Sequence, residues 1–266
     1  MTTVYLNLPL QTSFEICTDC DEIVDLIYLK FGSYADATPS SCTNQKISIR
    51  KGLDTYFFDT DNLSFTTNSP VTTIDKYSFE NTVYDESILA LHGAAVEYNS
   101  YCHLFLGATT SGKTTLTSYL TSNGFGYLTD DCILLDRSDF KIHPFSTPIH
   151  LREGGLEVLK RYNSAPKNIQ KLEEPPALLR YLYTPDNCVH HPIPLKSIYF
   201  IRRTDDENRV ADMPTTERIT ELLKSPITPY EITKEYLSFI SRIAKSDCKR
   251  LFYSDMNFVK DVIING

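Results

Sequence analysis

Apolar positions recur along this chain at two periods, and the switches between them mark out its elements. In the first eighty residues the pattern is mixed and rather polar. Val24, Ile27, Tyr28 and Phe31 share one stripe at helical spacing, which predicts a short amphipathic helix over 23–31. Lys46-Ile-Ser-Ile-Arg50 alternates like a half-buried strand. Thr55–Phe58 and Leu63–Thr67 predict two more strands around the turn-like Asp59-Thr-Asp-Asn62. Ile88–Tyr98 holds the small residues of His92-Gly-Ala-Ala-Val96 and predicts a closely packed strand or helix. Tyr101–Leu106 is a short apolar run that predicts a buried strand. Leu116, Tyr119 and Leu120 then recur at helical spacing, and Gly124 stands where that helix should stop.

Phe125–Leu135 predicts a strand interrupted near Asp130-Asp131. Prolines at 144 and 148 bar a central strand there, and Gly154-Gly155 marks a turn. The proline-bearing, mixed-charge stretch 163–197 predicts a long surface excursion, and residues 150–195 a substrate lid. Ser197–Ile201 predicts a plain buried strand. Two helical patterns close the chain, Tyr236/Phe239/Ile240/Ile243 and Phe258/Val259/Val262/Ile263, with a short strand at Arg250–Tyr253 between them. The expectation is an α/β protein: a small α+β segment over 1–80, then a larger domain over 81–266.

The most specific stretch is Gly107-Ala108-Thr109-Thr110-Ser111-Gly112-Lys113-Thr114, which fits G-x-x-x-x-G-K-[ST], the phosphate-binding loop. Glycines at its ends let the backbone curl so that successive N–H groups face phosphate oxygens. Lys113 supplies a point charge for the outer phosphates. The Thr114 hydroxyl suits Mg²⁺, and a helix starting at Lys113 and running on through Thr115 turns its positive end to the same site. The run lies between a predicted strand and a predicted helix, as the motif requires.

Composition narrows the function classes. The chain has 266 residues, 41% hydrophobic and 23% charged, with a formal net charge of −8 and no Lys/Arg-rich run. That argues against nucleic acid or an anionic membrane as the main partner. No apolar run approaches the roughly 20 residues that span a bilayer. Met1-Thr-Thr-Val-Tyr5 lacks the basic start and apolar core of a signal peptide, so a cytoplasmic location is expected. Seven scattered cysteines suit reduced thiols better than a disulfide framework.

Asp130 and Asp131 lie 17 and 18 residues beyond Lys113. A helix of about 10 residues and a short link use most of that gap. If the crossover is βαβ, the next strand runs parallel to the first, and its C-terminal end returns to the edge that carries the loop. One acid can then accept a proton from an attacking hydroxyl while the other holds Mg²⁺. Adjacent residues of a regular strand point to opposite faces, so both can serve only if a bulge or turn intervenes.

His92-Gly93, the phosphate loop and Leu128-Thr-Asp130-Asp131, in this order and spacing, resemble the core of the HPr kinase/phosphorylase family. The likeness covers residues 91–135, about a sixth of the chain. Pro144-Phe-Ser-Thr-Pro-Ile-His-Leu-Arg-Glu-Gly154 further resembles stand-alone HPr-kinase-like proteins of peptide biosynthetic clusters, such as lasso peptide precursor kinases. The resemblance implies a P-loop kinase domain related to PEP carboxykinase, using ATP or another nucleoside triphosphate with Mg²⁺ to phosphorylate a serine of a peptide or protein. It implies Asp130 as general base, Asp131 as its companion acid at the metal, and His92 as a histidine close to that base. The loop departs from the family, reading Ala-Thr-Thr-Ser in place of the favoured Asp-Ser-Gly-Val. The family's N-terminal domain is not recognisable in residues 1–80, and Leu151–Gly155 matches its E-x-R-G motif only loosely. HPr is therefore not implied as the substrate.

Arg152 suits a phosphate or substrate contact, since arginine clamps anions bidentately. Cys17/Cys20 and Cys188/His190/His191 have metal-ligand types without a complete set, and Lys160, Arg161, Lys167 and Lys171 form a modest basic cluster. A small-molecule hydroxyl kinase and a non-catalytic nucleotide sensor remain alternatives, and the sequence leaves a homo-oligomer open.

Overall fold

A computed structural model describes residues 1–10, 12–39, 45–82, 87–174, 178–227 and 231–266. Residues 175–177 of the expected excursion and 229–230 at the head of the tail lie outside them. The chain begins β1 (Thr2–Leu8), β2 (Thr12–Thr18), α1 (Asp21–Phe31), β3 (Ala35–Asp36), β4 (Gln45–Lys51), β5 (Tyr56–Thr60), β6 (Ser64–Thr67), α2 (Pro70–Thr82). The strands form one six-stranded sheet in the order β3-β1-β2-β4-β5-β6. Strict alternation puts Val4, Leu6, Leu8, Phe14 and Ile16 on the covered face, against α1 and α2. The stripe of α1 differs from the expected one. Ile23, Ile27 and Phe31 are buried at i, i+4, i+8, while Tyr28 is 39% exposed. The helix lies rotated about one position from the expected face, which also buries Lys30, paired with Asp75 of α2 at 2.9 Å. That helix, α2, carried no recognised pattern.

The chain continues β7 (Ile88–Tyr98), β8 (Tyr101–Leu106), α3 (Lys113–Ser122), β9 (Gly126–Thr129), β10 (Cys132–Asp136), β11 (Lys141–His143), β12 (Ile149–Leu151), α4 (Glu153–Arg161), β13 (Gln170–Glu174), β14 (Leu178–Tyr183), β15 (Ile193–Arg203), β16 (Arg209–Asp212), α5 (Thr215–Leu223), α6 (Lys234–Ile243), β17 (Asp247–Tyr253), α7 (Met256–Asn265). The main sheet runs β11-β10-β7-β8-β15-β17-β16, with β9 beside β7, and β11 also pairs with β15. Both faces are covered. Cys102, Leu104 and Leu106 of β8 face α5 and α6, and Phe105 faces α3, α4 and α7. Burial on both sides explains why β8 and β15 read as unbroken apolar runs. β8, β15 and β17 are parallel, so Gly107, Arg203 and Tyr253 reach the same edge.

Two expectations need correction. β9 does run in the direction of β8, but the two are not neighbours: β7 lies between them, antiparallel to both. The acids still return to the loop's edge, because β9 and β10 lie end to end along β7. The stretch 163–197 is not a bare excursion. Gln170–Glu174 and Leu178–Tyr183 are strands of a three-stranded antiparallel sheet, β12-β14-β13, at the flank of the site. β12 begins just after Pro148 and is an edge strand, so no central strand forms over the two prolines.

Candidate active site

The loop over Gly107–Thr114 holds two residues in left-handed backbone. Thr110 has φ 71° and Gly112 φ 92°. A side chain at Gly112 would be strained and would also run into the Tyr253 hydroxyl, which donates to the Ser111 carbonyl at 2.9 Å. The first bond of α3 is Leu116 N–H to Gly112 O at 2.9 Å, so the N–H groups of Lys113, Thr114 and Thr115 have no partner within the helix. They make the N-terminus of α3 an anion platform. Lys113 is buried, and its Nζ donates to the carbonyls of Gly107 (2.9 Å) and Ala108 (3.2 Å). Burial lowers the Lys113 pKa, while Asp130 and Asp131 act to raise it.

The acids arrive through a bulge. Ala95 pairs with Thr129 but Val96 with Tyr127, so Leu128 is the extra residue. Pairing resumes at Cys132 opposite His92, and the Gly93 N–H reaches the Asp131 carbonyl at 3.3 Å. Gly93 has to lack a side chain: a Cβ there would lie 2.6 Å from Leu106 Cδ2 and 2.8 Å from the Phe105 carbonyl. Both carboxylates reach the cleft. Asp131 is exposed, and Asp130 is 4% exposed with an Oδ1 that has no hydrogen-bond partner. Burial pushes the Asp130 pKa well above the usual carboxylate range, Asp131 adds to the rise, and the Thr114 hydroxyl and Lys113 oppose it.

One cleft of about 480 Å³ collects His92, Thr109, Thr110, Gly112 to Thr115, Asp130, Asp131 and Arg152. Gly107, Ala108 and Ser111 sit behind it as the backbone that shapes the loop. The same cleft holds His150, Arg180 and Arg203, which the sequence did not mark for the site, and Gly154 and Gly155, which lie in the first helical turn of α4 and not in the expected break. Arg203 ends β15, the strand that contains the recognised Ser197–Ile201, so its place beside the loop could have been read from a parallel pairing with β8. Arg180 sits on β14, and no local signal announced it. Burial holds Arg180 below its usual pKa, with Arg152 adding to the effect. Among the described residues none of the three arginines is paired with a carboxylate. Burial first, then Lys30 and Arg180, lowers His150 to about 3, so it is a neutral ring in this cationic wall.

Mg²⁺ fits the residues present. The Thr114 hydroxyl, the unpartnered Asp130 oxygen and the exposed Asp131 carboxylate are hard oxygen donors beside a phosphate loop. Among the described residues no cluster of three or more His, Cys, Asp or Glu forms a dedicated metal cage. Mg²⁺ needs none where phosphates complete its shell. Cys17, Cys20, Cys188, His190 and His191 all stand outside this cleft.

No family model matches the chain, and no curated protein does. Among solved structures it is similar to the Hpr(Ser) kinase/phosphatase from Coxiella burnetii, over 66% of this chain and 97% of that one, at 14% identity and a TM-score of 0.32. A superposition that loose carries no chemistry, which rests on the cleft itself.

Proposed function

We propose that this protein is a Mg²⁺-dependent kinase of the HPr-kinase-like P-loop type, moving the γ-phosphoryl group of ATP to a serine hydroxyl of a peptide or protein. The observation that carries the reading is Asp130: a buried carboxyl with an unpartnered oxygen, in one cleft with the phosphate loop. Binding alone does not need a base. The order of His92-Gly93, loop and Asp130-Asp131 supports the same reading.

In this mechanism the loop amides and Lys113 hold the β- and γ-phosphates. Thr114 and Asp131 would hold Mg²⁺, which when bound would supply positive charge against the transferred group. Asp130 accepts the serine proton as the serine oxygen bonds to the γ-phosphorus. The bond from that phosphorus to the β–γ bridging oxygen breaks, and its electron pair leaves with ADP. Burial favours the task, because a carboxylate with a raised pKa is a stronger base than one in water. The Thr114 hydroxyl donates a hydrogen bond to Asp130, His92 lies in the same cleft as the base, and Arg152 and Arg180 form the anion-holding wall that faces the acceptor. Little else is asked of the protein beyond positioning.

The test is transfer from labelled ATP to serine-containing peptides, read by mass. Asp130→Asn is expected to keep nucleotide affinity and lose transfer by about 10²-fold or more. If affinity falls while turnover per bound ATP holds, Asp130 is a metal ligand and not the base.

A further inference from the structure

A second cleft, of about 350 Å³, opens on the opposite flank of the phosphate loop. It shares Gly112, Thr115 and Arg203 with the first cleft, and its other walls come from α4 and from the turn between β17 and α7. The sheet order sets the two apart. Asp130 and Asp131 lie beyond β7, on one side of β8, whereas β17 lies beyond β15 on the other.

The chemistry changes across the loop. The first cleft is lined by charges of both signs. Among the described residues no carboxylate lines the second, whose walls are Val158, Tyr162, Tyr253 and Met256 with Arg161 and Ser254 at hand. Its aromatic wall is rigid. The Tyr162 hydroxyl donates to Asp255 Oδ1 at 3.0 Å and accepts from the Met256 N–H at 3.3 Å, and its ring meets Tyr119 edge-on at 5.3 Å. The Tyr253 hydroxyl is tied to the loop itself. A slot held open in this way needs no ordering when a flat group enters.

Polarity of the donor decides what enters. Its γ-phosphoryl must face Asp130, so the triphosphate runs along the loop with its α-phosphate end away from the acids. That end leaves the loop at Gly112 and Thr115, where the apolar slot begins. We propose that the cleft between α4 and the β17–α7 turn is the nucleoside subsite of the donor. The base lies against Tyr162, Val158 and Met256, and the ribose lies toward Ser254 and Arg161. This rests on the kinase reading above and extends it to a part of the donor that the loop does not hold.

Inorganic tripolyphosphate separates the two. It carries the phosphates of the donor and no nucleoside. With Mg²⁺, titrations of ATP and of tripolyphosphate are compared in the intact protein and in Val158→Trp, which fills the slot from its half-buried rim. ATP affinity is expected to fall at least tenfold, and tripolyphosphate affinity to stay within twofold. In the unaltered protein, 8-azido-ATP is expected to label peptides that contain 158–162 or 253–257. Equal loss of both ligands, or labelling confined to peptides around Asp130 and Arg152, overturns the subsite. If the intact protein binds neither ATP nor tripolyphosphate, the donor reading itself fails and the subsite goes with it.

Discussion

Asp130 meets two opposed demands. A base must be able to give up its proton, yet burial and the neighbouring Asp131 make ionisation costly. The folded chain therefore keeps a proton on Asp130 at pH values where the unfolded chain has released it. That contribution to stability is fully present below the ordinary carboxylate value, about 3.9, and is lost as pH rises through the raised one. Asp130→Asn has no such loss. At pH 7 the variant is expected to unfold at a higher temperature than the wild type, by about 2–4 °C for each kcal/mol recovered. The difference should close below about pH 4 in thermal scans across pH. A variant less stable than the wild type at pH 7 would mean that the carboxylate is stabilised where it sits, as a structural ion would be. The residue that weakens the fold would then not be the residue that does the chemistry.

At the scale of elements, the loop and α3 form a unit in which one glycine has two jobs. Gly112 and Gly124 both have φ 92°, but only Gly112 has a neighbour in the way. Gly124→Ala is expected to cost about 1 kcal/mol, for the backbone alone. Gly112→Ala adds the collision with Tyr253 and is expected to cost about 2–4 kcal/mol and to lower nucleotide affinity about tenfold or more. Denaturant unfolding and nucleotide titration on the pair check this, and equal costs would remove the role of Tyr253. What the sequence disclosed follows the same division. Strand, loop and helix over 101–122 were legible because their signals are local: an apolar run, a motif and a 3.6-residue period. The interruption at Asp130-Asp131 was legible for the same reason. The place of β7 between β8 and β9 was not, since strand order is set by pairings across the chain. Nor was the β12-β14-β13 sheet, whose short strands are divided by prolines that hide their alternation. His150, Arg180 and Arg203 reach the cleft only through those pairings.

The whole molecule is joined by a third apolar cluster. Val4, Leu6, Phe14, Ile16 and Phe58 of the first sheet and Ile27 of α1 pack in one body with Ile88 and Ala90 of β7, Cys132 and Leu134 of β10, and Phe145. β7 is shared in a regular way: Ile88 and Ala90 face the first sheet, and Leu89 and Leu91 face the core under α5 and α6. The Tyr34 hydroxyl accepts from the Ser146 N–H at 2.9 Å, which ties the N-terminal part to the segment leading into β12. The strand that carries His92, and the one that follows the two aspartates, therefore each have one face made by the first 82 residues. The composition shift near residue 80 marks a change of sheet, and it does not by itself separate the cores. Burial on this scale couples the two parts energetically, so calorimetry on the intact chain is expected to show one transition, with calorimetric and van't Hoff enthalpies in agreement. Phe145→Ala, at the centre of the joint, is expected to cost about 3–5 kcal/mol and to move that transition as a unit. Two resolved transitions, with Phe145→Ala lowering only one, would show that the nucleotide cleft stands without the N-terminal sheet.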